Sequence, residues 1–153
     1  MVGLLFTYSN EEKEGFTVCV PGASLPYDAE TFDEIESSCI HTVPNLVAFV
    51  EECYRLLKPG GIAKLSAPHY RHDLAWQSPL TKRAVSELSL NFASKQWREL
   101  NKYSEVDLVC DFEVAGNFAI EQSYMQRSDD ARGFMMKSYS NVIQAVIFTL
   151  TKK

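Results

Sequence analysis

The amino-acid sequence predicts an α/β domain built on a parallel strand pair. Two segments of strand character, DEIESSCI (33–40) and IAKLSA (62–67), flank one helical segment, PNLVAFVEECYRLLK (44–58), and a Pro-Gly-Gly break separates that helix from the second strand. A strand, a helix and a strand in this order form a right-handed crossover, which makes the two strands parallel neighbours. The carboxyl-terminal part then returns to strand patterning, so the sheet extends beyond this pair.

From the amino end, FTVCV (16–20) reads as a strand, divided from DEIESSCI by PGASLPYDAETF, whose glycine, prolines and Asp28 are turn chemistry. In the helix, Leu46, Val50, Cys53 and Leu57 recur at helical spacing and Phe49 and Leu56 widen the stripe. Thr42 or Val43 stands at its cap, Pro44 suits its first turn and Lys58 its last. Pro59-Gly60-Gly61 then forbids continuation while allowing left-handed backbone angles. Residues 71–103 read as helical and polar, an outer layer or lid with Ser86 or Ser94 as caps and with Phe92, Trp97 and Leu100 on one side. VDLVCDFEV (106–114), extended through NFAIEQ (117–122), reads as a strand, DDARGFMMKSY (129–139) as a helix, and NVIQAVIFTLTKK (141–153) as a long strand with one buried face.

At 153 residues the chain fits one domain, residues 1–153, that buries roughly 70% of its unfolded surface, and no repeat or linker divides it. A net charge of −5 with scattered basic residues lacks the field that attracts phosphate backbones, which argues against nucleic acid. Apolar stretches fall short of the ~18–20 residues that span a bilayer, so a cytoplasmic location is expected. Cys19, Cys39, Cys53 and Cys110 lie far apart with no CxxC pair, which reads as reduced thiols without a metal site.

In open α/β sheets, small ligands sit beyond the carboxyl ends of parallel strands. Two such ends are visible, Ser37-Ser38-Cys39-Ile40-His41 and Ser66-Ala67-Pro68-His69-Tyr70. Small residues beside polar tips suit a flat aromatic or ribose-bearing ligand, and they equally suit a close turn. His69 or His72 has the chemistry of a general base and also of a solvated loop histidine. Tyr70 and Trp76 offer stacking faces for a planar acceptor, or core packing; Asp28 and Asp33 offer an acid pair, or turn contacts.

The stretch LPYDAETFDEIESSCIHTVPNLVAFVEECYRLLKPGGIAKLSAPHY resembles the middle of a class I S-adenosylmethionine-dependent methyltransferase, in which an LPF-type turn, an FDEI strand, a helix ending in RxLKPGG and a strand ending in proline follow in this order. SPLTKRAVSEL (78–88) is similar to the Asp-Pro-Thr-His-Lys-Arg segment of one microbial and phage-associated branch, and the similarity covers about residues 18–153. The resemblance implies a Rossmann-like mixed sheet of seven strands whose last strand is antiparallel. DEIESSCI would be the fourth strand, IAKLSA the fifth, VDLVCDFEV the sixth and NVIQAVIFTL the seventh. The first three would lie before residue 20, where one strand–helix–strand unit of ~30 residues or more does not fit. No glycine cluster precedes Gly60, so the donor-binding glycine loop is not encoded, and a truncated methyltransferase sheet is expected.

By the same resemblance, S-adenosylmethionine is the cofactor, and Ser24, Ser37, Cys39 and Ile40 are its candidate contacts. His69, Tyr70 and Arg71 are the catalytic candidates, and the methyl acceptor is unspecified. A fourth strand without its usual neighbour is an exposed apolar edge, which requires a cover. Segments VGLLFTYS (2–9) and FTVCV folding back as substitute strands, together with a second copy forming a homodimer through that edge, supply one.

Overall fold

The computed structural model describes residues 2–7, 14–19, 25–105 and 107–153. Six strands form one mixed sheet: β1 (Gly3–Phe6), β2 (Phe16–Cys19), β3 (Phe32–Ser37), β4 (Leu57–Pro68), β5 (Phe112–Ile120) and β6 (Ile143–Lys152), in the spatial order β2-β1-β3-β4-β6-β5. The first four run parallel, and β6 is antiparallel to both β4 and β5. The expected α/β architecture with an antiparallel last strand is therefore the one observed.

Helix α1 (Leu46–Leu56) crosses between β3 and β4 and buries Phe49, Val50, Cys53 and Leu56. Its cap is Asn45, not Thr42 or Val43: the Asn45 side chain accepts the Ala48 N–H at 3.1 Å, satisfying one of the donors a helix start leaves unpaired. Phe49 meets the Phe6 ring edge-on at 4.9 Å, tying the helix to β1. The helix ends two residues earlier than expected, and Lys58 instead reaches Asp33 at 2.9 Å. Phe32 pairs with Leu57 but Glu34 pairs with Ile62, so residues 58–61 jog out opposite Asp33 alone. Gly60 takes φ +77 there, and a Cβ on Gly61 would lie 2.9 Å from the Lys58 carbonyl and 3.1 Å from that of Asp33.

β1 pairs in parallel with β3 from Gly3 opposite Glu34 to Phe6 opposite Ser37, and β2 pairs with the far side of β1. The expected fold-back of the amino-terminal segments is thus present in the sheet. It changes the edge: β3 is covered on both sides, and the sheet's edges are β2 and β5. Three strands, rather than two, precede the first helix.

One face of the sheet carries the core. Leu4, Phe6, Ile35, Ala63, Leu65, Val146, Phe148 and Leu150 are buried with the α1 stripe, while their chain neighbours Glu36, Lys64, Ser66, Ile147 and Thr149 keep contact with solvent. Residues 71–105 are mostly turns rather than helix, containing only α2 (Leu74–Gln77), a 3-10 turn at Asn91–Ala93 and α3 (Lys95–Leu100). Ser94 does cap α3, accepting the Trp97 N–H, whereas Leu100 is exposed. The buried guanidinium of Arg98 holds this segment by donating to the carbonyls of Phe92, Leu108 and Cys110. The strand expected from residue 106 starts only at Phe112, and α4 (Asp129–Ser138) forms as predicted. Cys53 and Cys110 are free and buried; burial drives both thiol pKa values up, that of Cys110 to about 12.

Replacing Arg98 with Met leaves three carbonyls without their donor, and each unsatisfied buried group costs about 1–3 kcal/mol. Arg98→Met is expected to lower the urea unfolding midpoint strongly, with a loss of about 2–4 kcal/mol, whereas Arg71→Met, which removes one exposed contact, changes it by less than about 1 kcal/mol.

Candidate functional site

The carboxyl ends of β1, β3 and β4 open at the same edge of the sheet. At the end of β3 the polar groups satisfy one another. The Ser37 hydroxyl lies 3.3 Å from the Cys39 sulfur and accepts the Cys39 N–H at 3.3 Å. The Cys39 thiol donates to the carbonyl of Phe6, the last residue of β1, at 3.6 Å, and Thr42 donates to the Cys39 carbonyl at 2.7 Å. Burial pushes the Cys39 thiol pKa up, which keeps it protonated and able to donate. Ile40 is 0% exposed and belongs to the core. Of the four candidate donor contacts, Ser37 and Cys39 are thus bound to each other, Ile40 presents no surface, and Ser24 lies outside the described residues. The polar groups of Ser37 and Cys39 at this strand end are already hydrogen-bonded within the chain.

The end of β4 is arranged differently. His69 is 3% exposed; its Nδ1 accepts the Arg71 N–H at 3.3 Å, which leaves the hydrogen on Nε2, 3.8 Å from Glu87. His72 repeats the pattern, with Nδ1 accepting the Leu74 N–H at 3.2 Å and Nε2 at 3.1 Å from Glu121. Both imidazoles therefore have their basic nitrogen engaged by main chain, and neither offers a lone pair to a substrate proton. Arg71 donates to the Lys137 carbonyl at 2.8 Å. Tyr70 and Trp76 stand out to solvent at 41% and 60% exposure, with the indole N–H donating to the Tyr70 carbonyl at 3.0 Å. These two rings are surface groups, not core, and they form an aromatic rim beside the strand end.

The SPLTKR segment closes the gap between the two ends. Lys82 and Arg83 donate main-chain N–H groups to the His41 carbonyl, the Arg83 guanidinium donates to the carbonyls of Ile40 and Pro44, and Tyr70 N–H donates to the Val85 carbonyl. His41 Nδ1 is buried with no partner among the described residues, and burial together with Arg83 lowers the His41 pKa. Asp33 accepts from Val2 N–H at 2.8 Å and from Lys58, which ties neighbouring strands together, while the Asp28 carbonyl accepts from Thr31 in a turn. No group of three or more metal-ligating side chains occurs among the described residues.

The parallel β1-β3-β4 unit, followed by an antiparallel β6 inserted before β5, is a topology that comparison recognises. Residues 6–65 match the model of the methyltransferase domain. The fold is that of S-adenosylmethionine-dependent methyltransferases. A methyltransferase of this type from Archaeoglobus fulgidus superposes with a TM-score of 0.58 at 17% identity, over 91% of this chain and 69% of that one. One from Thermotoga maritima gives 0.51 at 18% identity, over 90% and 63%, so this chain spans less than two thirds of its length. A protein from Bacillus halodurans described as a methyltransferase gives 0.50 at 14% identity, over 98% and 91%. At these identities the likeness is one of fold. No curated protein sequence matches the chain.

Sequence reasoning missed Glu87 and Glu121, which stand 18 and 49 residues from the histidines they face, because no local pattern marks such pairs. The buried His69 has its pKa lowered, chiefly by desolvation, with Glu87 opposing the shift. A histidine whose folded pKa lies below its unfolded value of about 6.5 costs stability as pH falls through that value, because the unfolded chain takes up the proton first. His41 acts in the same direction. Unfolding midpoints in urea are therefore expected to fall from about pH 7.5 to about pH 5.5, and His69→Gln to flatten that decline; parallel profiles for the two proteins would show that His69 is not its source.

Proposed function

We propose that this chain is a methyltransferase-fold protein that keeps the acceptor side of the site and does not carry a methyl transfer by itself. The observation that supports this reading is the Cys39 thiol seated on the Phe6 carbonyl, across the crevice between β1 and β3 where a nucleoside would need free polar groups. Only residues 7–15 join β1 to β2, against ~30 residues or more for a strand–helix–strand unit, which leaves little room for a glycine loop followed by a helix.

In the family, S-adenosylmethionine supplies the methyl group. What this chain's own residues offer is a binding surface: Tyr70 and Trp76 present aromatic faces for a planar acceptor, held by the Trp76 indole bond to the Tyr70 carbonyl. Of the catalytic candidates, His69 and Arg71 hold the loop rather than a reacting atom, and Tyr70 alone remains placed to touch an acceptor. On this reading the chain is one cytoplasmic domain, and its partner is a second copy of itself rather than nucleic acid, consistent with its net charge of −5. A second reading, an enzyme that binds donor through residues beyond those described, is favoured by the domain match beginning at Phe6.

Calorimetric titration of the purified chain with S-adenosylmethionine and with S-adenosylhomocysteine separates the two. No saturable heat with either is expected, and saturable binding in the micromolar range would overturn the proposal in favour of the enzyme.

A further inference from the structure

We propose that β5 is a self-pairing edge, joining two copies of this chain antiparallel about a two-fold axis at Gly116. The inference rests on the reading that the chain's partner is itself, and names the surface. β5 is the longer of the two sheet edges, Phe112–Ile120 against Phe16–Cys19 in β2, and it contains neither proline nor lysine, the usual guards of an edge. The Asp111 carbonyl accepts from Lys153 and the Glu121 N–H donates to Val142, so odd-numbered positions turn their main-chain groups toward β6. Phe112, Val114, Gly116, Phe118 and Ile120 therefore turn theirs outward, and of these only the Phe118 N–H has a partner among the described residues, the side chain of Asn117 at 2.8 Å.

A two-fold axis at Gly116 makes the strand self-complementary. Val114 falls opposite Phe118 of the partner subunit and Gly116 opposite Gly116 of the partner subunit, so the outward-turned groups meet as hydrogen-bonded pairs. Glu113, the strand's one charged residue, falls opposite Ala119 of the partner subunit, so within Phe112–Ile120 no like charges meet, and the pairing ends at Phe112 and Ile120 because Asp111 would next face the acidic Glu121 of the partner subunit. Ala115, Gly116 and Asn117 are all exposed, leaving the approach open.

The apolar chemistry agrees with the main-chain pattern. Beside Val114 lies a cavity of about 270 Å³ lined by Trp97, Leu100, Asn91, Ser94 and Glu113. The register sets the ring of Phe118 of the partner subunit against Val114 at the mouth of this cavity. Leu88 is 66% exposed next to Glu87, whose carbonyl stands 3.9 Å from where a Gly116 Cβ would be, so it adds apolar surface beside the axis. The pairing covers both.

Sedimentation equilibrium over a range of chain concentrations tests this, with Gly116→Pro and Gly116→Lys as variants. Proline deletes an outward N–H and leaves the β6 ladder intact, and lysine places like charges face to face at the axis. A Cβ at this position meets nothing closer than the Glu87 carbonyl, and far-ultraviolet circular dichroism melts establish that each variant folds. The native chain is expected at twice its 17.3 kDa mass, and both variants to dissociate about tenfold or more readily. Hydrogen exchange at the Val114 and Gly116 amides should slow as the native chain is concentrated. A native monomer at high concentration overturns both the dimer and its surface. A dimer that survives in both folded variants, with those amides unprotected, overturns the β5 surface alone and leaves the self-association reading standing. Should one variant unfold, the other and the exchange measurement decide.

Discussion

Pairing of Gly3–Phe6 along β3 is the contact on which the rest of the sheet depends. A parallel strand buried on one face and open along one edge has unpaired main-chain groups beside apolar side chains, a costly and adhesive combination. Four residues suffice to cover it because Leu4 and Phe6 also enter the core and Phe6 meets Phe49. Asp33 strengthens the same seam from its base, receiving the Val2 N–H and Lys58; the Lys58 bond is the main reason its pKa is lowered. β1 thus takes the place beside β3 that would otherwise be an open edge.

That substitution has a chemical consequence at the opposite end of the same strands. With β1 drawn close against β3, the Phe6 carbonyl receives the Cys39 thiol, and Ser37 and Thr42 complete a closed set of hydrogen bonds. Polar groups that already satisfy one another gain little by turning to a ligand. The β4 end is occupied in another manner, since its two imidazoles face carboxylates outward and main chain inward. What stays open there is aromatic surface, which binds by stacking and needs no ionisable group.

Much of this architecture was legible in the sequence, and the reasons differ by element. The α1 stripe and the Pro-Gly-Gly break are local signals, so the helix and the parallel β3–β4 pair followed from them. β6 was legible because alternation in VIQAVIFTL matches a strand with one buried face. The stretch 71–103 read as helix but is mostly turns, since its order comes from long-range ties such as Arg98 to the Cys110 carbonyl and Arg83 to Ile40 rather than from helical periodicity. The site residues were legible as types and not as roles. Ser37 and Cys39 carry the right groups for a ligand, and only the approach of Phe6 from more than thirty positions away decides that those groups face each other.

The jog at residues 58–61 bears on how this sheet avoids a competing arrangement. β3 and β4 each alternate apolar and polar side chains beyond the jog, so sliding one past the other by a single position would turn either Glu34 and Glu36 or Lys64 inward. Such a misalignment sacrifices several kcal/mol per buried charge, yet the plain pleat of two neighbouring strands contains nothing to forbid it locally. Four looped residues set against a lone aspartate do forbid it, because Lys58 finds its carboxylate and Gly61 its tight berth in one alignment only. The glycines thus act as an index notch for the sheet, selecting its alignment.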